Sequence, residues 1–160
     1  MKAKTSRIVT DNLLNFLKGH YRLDWHGIHG LSHWAKVRAN GLALAKENEA
    51  NSGSVELFAF LHDCCRENDG RDPHHGNRSA DLACRLQGNL IHLSASDLDL
   101  LVIACRGHTH EPWHPDRTVG TCCDADRLDL IRSDIIPEPS RLCTSAGKVR
   151  CIEIAERYRQ

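Results

Sequence analysis

The stretch Leu57-Phe58-Ala59-Phe60-Leu61-His62-Asp63-Cys64-Cys65-Arg66-Glu67 sets an adjacent His and Asp at the end of an apolar helical run. Both are metal-type donors, and both are costly to desolvate at the edge of a core unless something binds them. A His-Asp pair is weak evidence alone, since a 160-residue chain with 11 histidines should hold about one by chance. Partners must therefore come from elsewhere. His33 is one candidate, because it falls in the first turn of a predicted helix and can face away from the stripe Val37, Leu42, Leu44 and Ala45. The loop Gly107-His108-Thr109-His110-Glu111-Pro112-Trp113-His114-Pro115 is another place where function concentrates, its two prolines arguing against regular structure.

The elements that must position these groups all read as helices. Ile8, Leu13, Leu14, Phe16 and Leu17 give a short packing helix that stops near Gly19. A glycine-rich loop from Trp25 then hands over near Ser32 to a helix running to about Glu49. Asn51-Ser52-Gly53 breaks the chain, and Ser54 is the expected cap of the helix that carries His62 and Asp63. After a loop from Gly70 to Pro73, a helix opens near His74-His75 and buries Ala80, Leu82, Ala83 and Leu86. Ser94-Ala95-Ser96-Asp97 resembles a capping box ahead of Leu98, Leu100, Leu101, Val102 and Ile103, a run too apolar to face water. Residues 122–131 read as a further helix with Leu128 and Ile131 inward. Pro137 and Pro139 end that region, and a last helix, 145–158, is expected to pack through Val149, Ile152 and Ile154. No strand-like alternation and no internal repeat appears. The expectation is an all-α fold in one compact domain over residues 1–160.

Composition narrows the function classes. Basic and acidic residues balance at 21 each, so no overall field draws the chain to nucleic acid or an anionic membrane. No apolar run has the length of a signal core or a membrane span, which predicts a soluble, cytoplasmic protein. The eight cysteines form no C-x-x-C knuckle and are expected to be reduced, mostly buried, small hydrophobes.

His33, His62-Asp63 and Asp126 together form the order H...HD...D on three separate predicted helices. That pattern resembles the HD superfamily of metal-dependent phosphohydrolases over roughly residues 26–134. His33 lies in Gly-Leu-Ser-His-Trp-Ala-Lys-Val, close to the family's opening motif, and Asp126 in Asp-Ala-Asp-Arg-Leu-Asp, close to its closing one. Leu61-His-Asp-Cys-Cys-Arg-Glu-Asn-Asp-Gly70, followed by Asp72-Pro73-His74-His75-Gly76, is similar to a bacterial subgroup of that family.

The resemblance implies that His33, His62, Asp63 and Asp126 bind one ion, although adjacent helical residues point about 100° apart and helix geometry alone would not bring His62 and Asp63 together. Such a mixed nitrogen and oxygen set suits Mn, Fe, Co, Ni or Zn, whereas Mg prefers oxygen alone. The implied activity is hydrolysis of a phosphomonoester or phosphodiester of a small, nucleotide-like substrate by a metal-activated water, with His62, Asp63, Arg66 and Glu67 as catalytic candidates. Arg66 and Glu67 follow Asp63 directly and are candidates for substrate contact, an ordinary helix-end ion pair being the alternative. His75 and His108 occupy places where two-metal relatives insert extra histidines; they are read as phosphate-binding groups, with a second metal as the alternative. Asp124 is expected to cap or orient a neighbour rather than to ligate, and Arg127 to be structural. His20, His26, His29, His92 and His114 are expected to be exposed or structural, with His26 or His29 at the pocket mouth. A non-catalytic metal or nucleotide sensor and a di-iron oxygenase are the competing classes.

Overall fold

The computed structural model describes residues 7–159, and their regular elements are all helical. The helices are α1 (Asp11–His20), α2 (Leu31–Asn48), α3 (Ser52–Leu61), α4 (His75–Leu86), α5 (Ala95–Gly107), α6 (Arg117–Arg127) and α7 (Ser145–Tyr158), with 3-10 turns at Leu128–Ser133 and Pro139–Arg141. Among the described residues no strand forms, and no helix is long and apolar enough to cross a membrane.

Helix α3 is the centre of the packing, because Val55, Leu57, Phe58, Ala59, Phe60 and Leu61 are all buried and leave it no solvent face of any width. Helices α2, α5 and α6 surround it, and α4 packs against α5. The closest approach of α2 depends on Gly41, where a Cβ would meet Val55 Cγ1 at 2.7 Å and Ala125 Cβ at 3.4 Å. That contact draws together the helices that carry His33, His62 and Asp126. At the entry to α2, Trp34 is fully buried and meets Tyr21 and Trp25 edge-on, at centroid distances of 5.1 and 5.2 Å, which seats the first turn of the helix.

Several local expectations are corrected. The cap of α3 is Asn51, whose side chain accepts from Ser54 N, while Ser54 lies inside the helix and its hydroxyl donates to Asp97 O. Only half of the expected capping box forms: Ser94 Oγ accepts from Asp97 N, but the Asp97 carboxylate accepts from Asn51 Nδ2 and so ties α5 to α3. Along α5, Leu101 is buried while Ile103 is exposed, so the helix packs on one side only. Helix α6 begins five residues before the expected segment, capped by Asp116 on Thr118 N and Val119 N, and tightens into a 3-10 turn after Arg127. Helix α7 has the expected bounds but another face inward: Gly147 and Cys151 are buried, Ile154 is half-buried, and Val149 and Ile152 are exposed. A Cβ at residue 147 would collide with the Asp124 carboxylate, which explains why the small residue is at the contact. All eight cysteines are free thiols, five of them buried.

Candidate metal centre

Five helix ends meet at one point. His33 comes from the first turn of α2, His62 is the residue after α3, His75 opens α4, His108 follows α5, and Asp126 lies in the last turn of α6. Adjacent His62 and Asp63 both reach it because α3 stops at Leu61. The chain then tightens through Cys64 N to Leu61 O and Arg66 N to Asp63 O, leaving the helical path that would have kept the two side chains apart.

Each imidazole is held by its Nδ1. His62 Nδ1 donates to the Phe58 and Ala59 carbonyls at 3.1 and 3.2 Å, His108 Nδ1 to Cys105 O at 2.8 Å, and His75 Nδ1 to Asp72 O. His33 Nδ1 donates to Asp129 Oδ2 at 2.7 Å. Carbonyls and an ionised carboxylate only accept, so all four rings carry the proton on Nδ1 and present Nε2 as a bare lone pair in the neutral form. These lone pairs face one another in two couples, His33 with His62 at 3.1 Å and His75 with His108 at 3.0 Å. Two lone pairs at that distance repel unless a cation lies between them.

Asp63 stands between the couples. Its Oδ2 is 3.6 Å from Nε2 of both His33 and His62, and its Oδ1 is 3.1 Å from Nε2 of His75 and 3.8 Å from that of His108. Asp126 Oδ1 adds a second carboxylate oxygen, 3.3 Å from His33 Nε2 and 3.6 Å from His62 Nε2. Among the described residues two metal-type groups therefore form, His33-His62-Asp63 and Asp63-His75-His108, and they share one carboxylate. Burial works against charge on Asp63, yet positive charge on His62 and Nε2–H donation from His108 and His75, in the protonated forms of those rings, outweigh it and hold the carboxyl well below the usual range. The same balance, with His33 and His62 as the opposing partners, keeps Asp126 ionised. The donor set fits a divalent transition ion, and its orienting hydrogen bonds are those such ligands need.

The neighbouring candidates separate clearly. Arg66 Nε donates to Asp63 Oδ1 at 2.9 Å and its Nη1 to Gly70 O at 3.2 Å, so it borders the centre. Glu67 is exposed and pairs with Arg22 and Arg78 at 3.6 and 3.9 Å, with no contact to the cluster. Asp124 is turned away: it accepts from Cys143 N, Thr144 N and Thr144 Oγ1 and anchors the start of α7. Arg127 donates to the Glu111, Pro112 and Arg141 carbonyls. His29 pairs with Asp69 at 2.9 Å, and His26 is exposed. Asp129, which the sequence reading assigned no role, is buried against His33; its signal was the spacing of three from Asp126, which puts both carboxylates toward one side of a helical turn. Asp72 was missed as well. It accepts from Glu67 N and Arg78 Nη2, and so fixes the loop whose carbonyl holds His75.

No family model and no curated protein matches this chain. Among solved structures, it is similar to a crystal structure of a predicted HD superfamily hydrolase from an uncultured Thermotogales bacterium, at 22% identity over 92% of this chain and 89% of that one, with a TM-score of 0.70. The likeness shows that the two chains share an all-α fold.

Proposed function

We propose that the chain is a divalent-metal-dependent phosphohydrolase that cleaves a phosphomonoester or phosphodiester of a small, nucleotide-like substrate. One observation carries this reading: four histidines with their Nδ1 engaged aim four Nε2 lone pairs, in two couples, at the shared carboxylate of Asp63. His33, His62, Asp63 and Asp126 would hold one ion, and Asp63, His75 and His108 a second. This favours the metal role for His75 and His108 over phosphate binding, because the neutral tautomer set by the Asp72 and Cys105 carbonyls presents a lone pair at Nε2. When bound, such ions acidify a water and polarise a phosphoryl oxygen. The protein's own part is to fix the imidazoles through Asp129, Asp72 and the helix-end carbonyls, and to exclude bulk water from four histidines that are all nearly fully buried. Arg66 restrains Asp63 and lines, with Arg71, His75 and His110, a cavity of about 270 Å³ whose positive charge suits entry of a phosphate.

The test is elemental analysis after reconstitution with Mn, Fe, Co, Ni or Zn, combined with a screen against phosphoesters and nucleotides. Two equivalents in the wild type, falling to about one in His75→Ala or His108→Ala, are expected together with phosphate release. Less than about a tenth of an equivalent after every reconstitution would remove the basis for the reading. Binding of metal and nucleotide without turnover would instead identify a sensor. The shared carboxylate between two clusters also suits a di-iron, oxygen-activating centre; an oxygen-dependent absorbance change of the reduced iron form, without phosphate release, would select it.

A further inference from the structure

Beside Asp126 and His108 lies a second, larger cavity of about 490 Å³, walled by Leu130, Ile135, Ile136 and Leu142. Ile135 and Ile136 are exposed by 51% and 44%, an unusual cost for consecutive isoleucines next to a polar centre. The volume lies within the range of about 300 to 1,000 Å³ typical of small-molecule sites, so a phosphate alone would leave most of it empty. Its cations are as informative as its apolar wall. Arg127 is fixed by three backbone carbonyls, and Arg141 reaches the same space from the 3-10 turn Pro139–Arg141. Among the described residues neither guanidinium has a carboxylate within 4.0 Å. Two carboxylates share the lining. Asp126 belongs to the metal set, which leaves Glu138 as the single uncommitted acid against two cations.

We propose that this cavity is the leaving-group subsite and that the leaving group is itself anionic: a nucleoside-sized body, apolar face against Ile135 and Ile136, bearing a second phosphate that Arg141 binds. Arg141 is then the specificity-determining residue. The inference rests on the hydrolase reading for the words leaving group, while the subsite itself is a matter of binding and can be measured separately. Among the described residues the side chain of Arg141 makes no ion pair, so its replacement leaves their contacts in place; it is the backbone carbonyl that Arg127 uses.

Calorimetric titration of the metal-loaded protein with adenosine 3′-monophosphate and with adenosine tests the subsite. The phosphorylated ligand should bind at least about tenfold more tightly, Arg141→Ala should remove that advantage, and Arg141→Lys should restore part of it. Equal binding of the two ligands, or a preference that survives Arg141→Ala, would overturn the proposal. Phosphate release is measured in parallel from adenosine 5′-monophosphate and adenosine 3′,5′-bisphosphate. A higher kcat/KM for the bisphosphate supports the subsite in catalysis, and equal values count against it. A binding preference without any release sustains the anion subsite and defeats hydrolysis, so the two failures are told apart.

Discussion

Removing the Asp129 carboxylate isolates the part played by a residue that touches no ion. Asp129 is 3% exposed, and its Oδ2 accepts from His33 Nδ1 at 2.7 Å. That bond fixes both the tautomer and the ring angle of His33, and orienting partners of this kind are worth roughly 10- to 100-fold in metal affinity. The bond is short, charged and buried, which places Asp129→Ala toward the upper end, about 30- to 100-fold or about 2.0 to 2.7 kcal/mol. Asp129→Asn keeps an acceptor oxygen and loses the charge, so about tenfold is expected. The loss should fall on the ion held by His33, His62, Asp63 and Asp126, and should spare the one held by Asp63, His75 and His108. Arg132, the nearest cation, is also held by Asp129 O and Ile28 O, so its own position does not depend on the carboxylate. Competition titration against a chelator, with elemental analysis at each step, reads the two sites. Melting of the metal-free variants accounts for folding, where an unpaired buried Nδ1–H costs about 1 to 3 kcal/mol. Wild-type affinity for two equivalents in Asp129→Ala would refute the argument that this carboxylate orients His33.

Asp126→Ala should eliminate the first ion, whereas Asp124→Ala should retain both and lower stability by about 3 kcal/mol, because it orphans three donors at the start of α7; chelator titration and denaturant melts show whether the two roles are instead exchanged. At Gly76 an added Cβ would run into the Cys105 carbonyl oxygen and touch His108 Cε1 at 3.4 Å. Gly76→Ala should therefore cost about 1 to 3 kcal/mol by forcing α4 from α5, and should lower the metal content from two equivalents toward one; an unchanged content at full occupancy would show that His75 and His108 need no such close packing.

How much of this was legible in the sequence depended on whether the signal was local. Apolar spacing, glycines and prolines are local, so the helices other than α6 came out near their observed bounds and the last one fell on Ser145–Tyr158. Which face of a helix turns inward is not local when both faces carry apolar residues. On α7 the choice fell to Gly147 and Cys151, because the collision at Asp124 admits only a small residue there. The cap of α3 was ambiguous for a different reason: Asn51, Ser52 and Ser54 can all cap, and only the register of the first turn selects the residue whose oxygen reaches Ser54 N. His33, His62, Asp63 and Asp126 were legible as a set through motif order, and the structure brings them together. Asp129 carried only its spacing of three from Asp126, and Asp72 carried no mark, since a carboxylate that holds a backbone N–H and an arginine reads in sequence like any surface acid.

The placement of the ligands at helix ends has an electrostatic consequence that leads to a final prediction. His62 and His108 follow the C-terminal ends of α3 and α5, and Asp126 lies in the last turn of α6, so three helices direct their negative ends at the centre, against the positive ends of α2 and α4 that carry His33 and His75. Asp63, Asp126 and Asp129 add three carboxylates; Arg66 is bonded to Asp63, while Arg132 and Lys36 stand 3.7 and 4.0 Å from Asp129, which meets His33 at Nδ1, the nitrogen turned away from the two clusters. Without metal, the Asp63 and Asp126 carboxylates that face the imidazoles attract a cation and repel a phosphate at the centre itself, in spite of the arginines at the cavity mouths. Inorganic phosphate should therefore bind the metal-free protein at least about tenfold more weakly than the loaded one, since two divalent ions reverse the local charge. Titration of phosphate in chelator and after reconstitution measures this directly. Equal affinity in the two forms would place the phosphate on the arginines instead of at the centre, and would remove the link between metal occupancy and substrate binding on which a hydrolytic site of this kind depends.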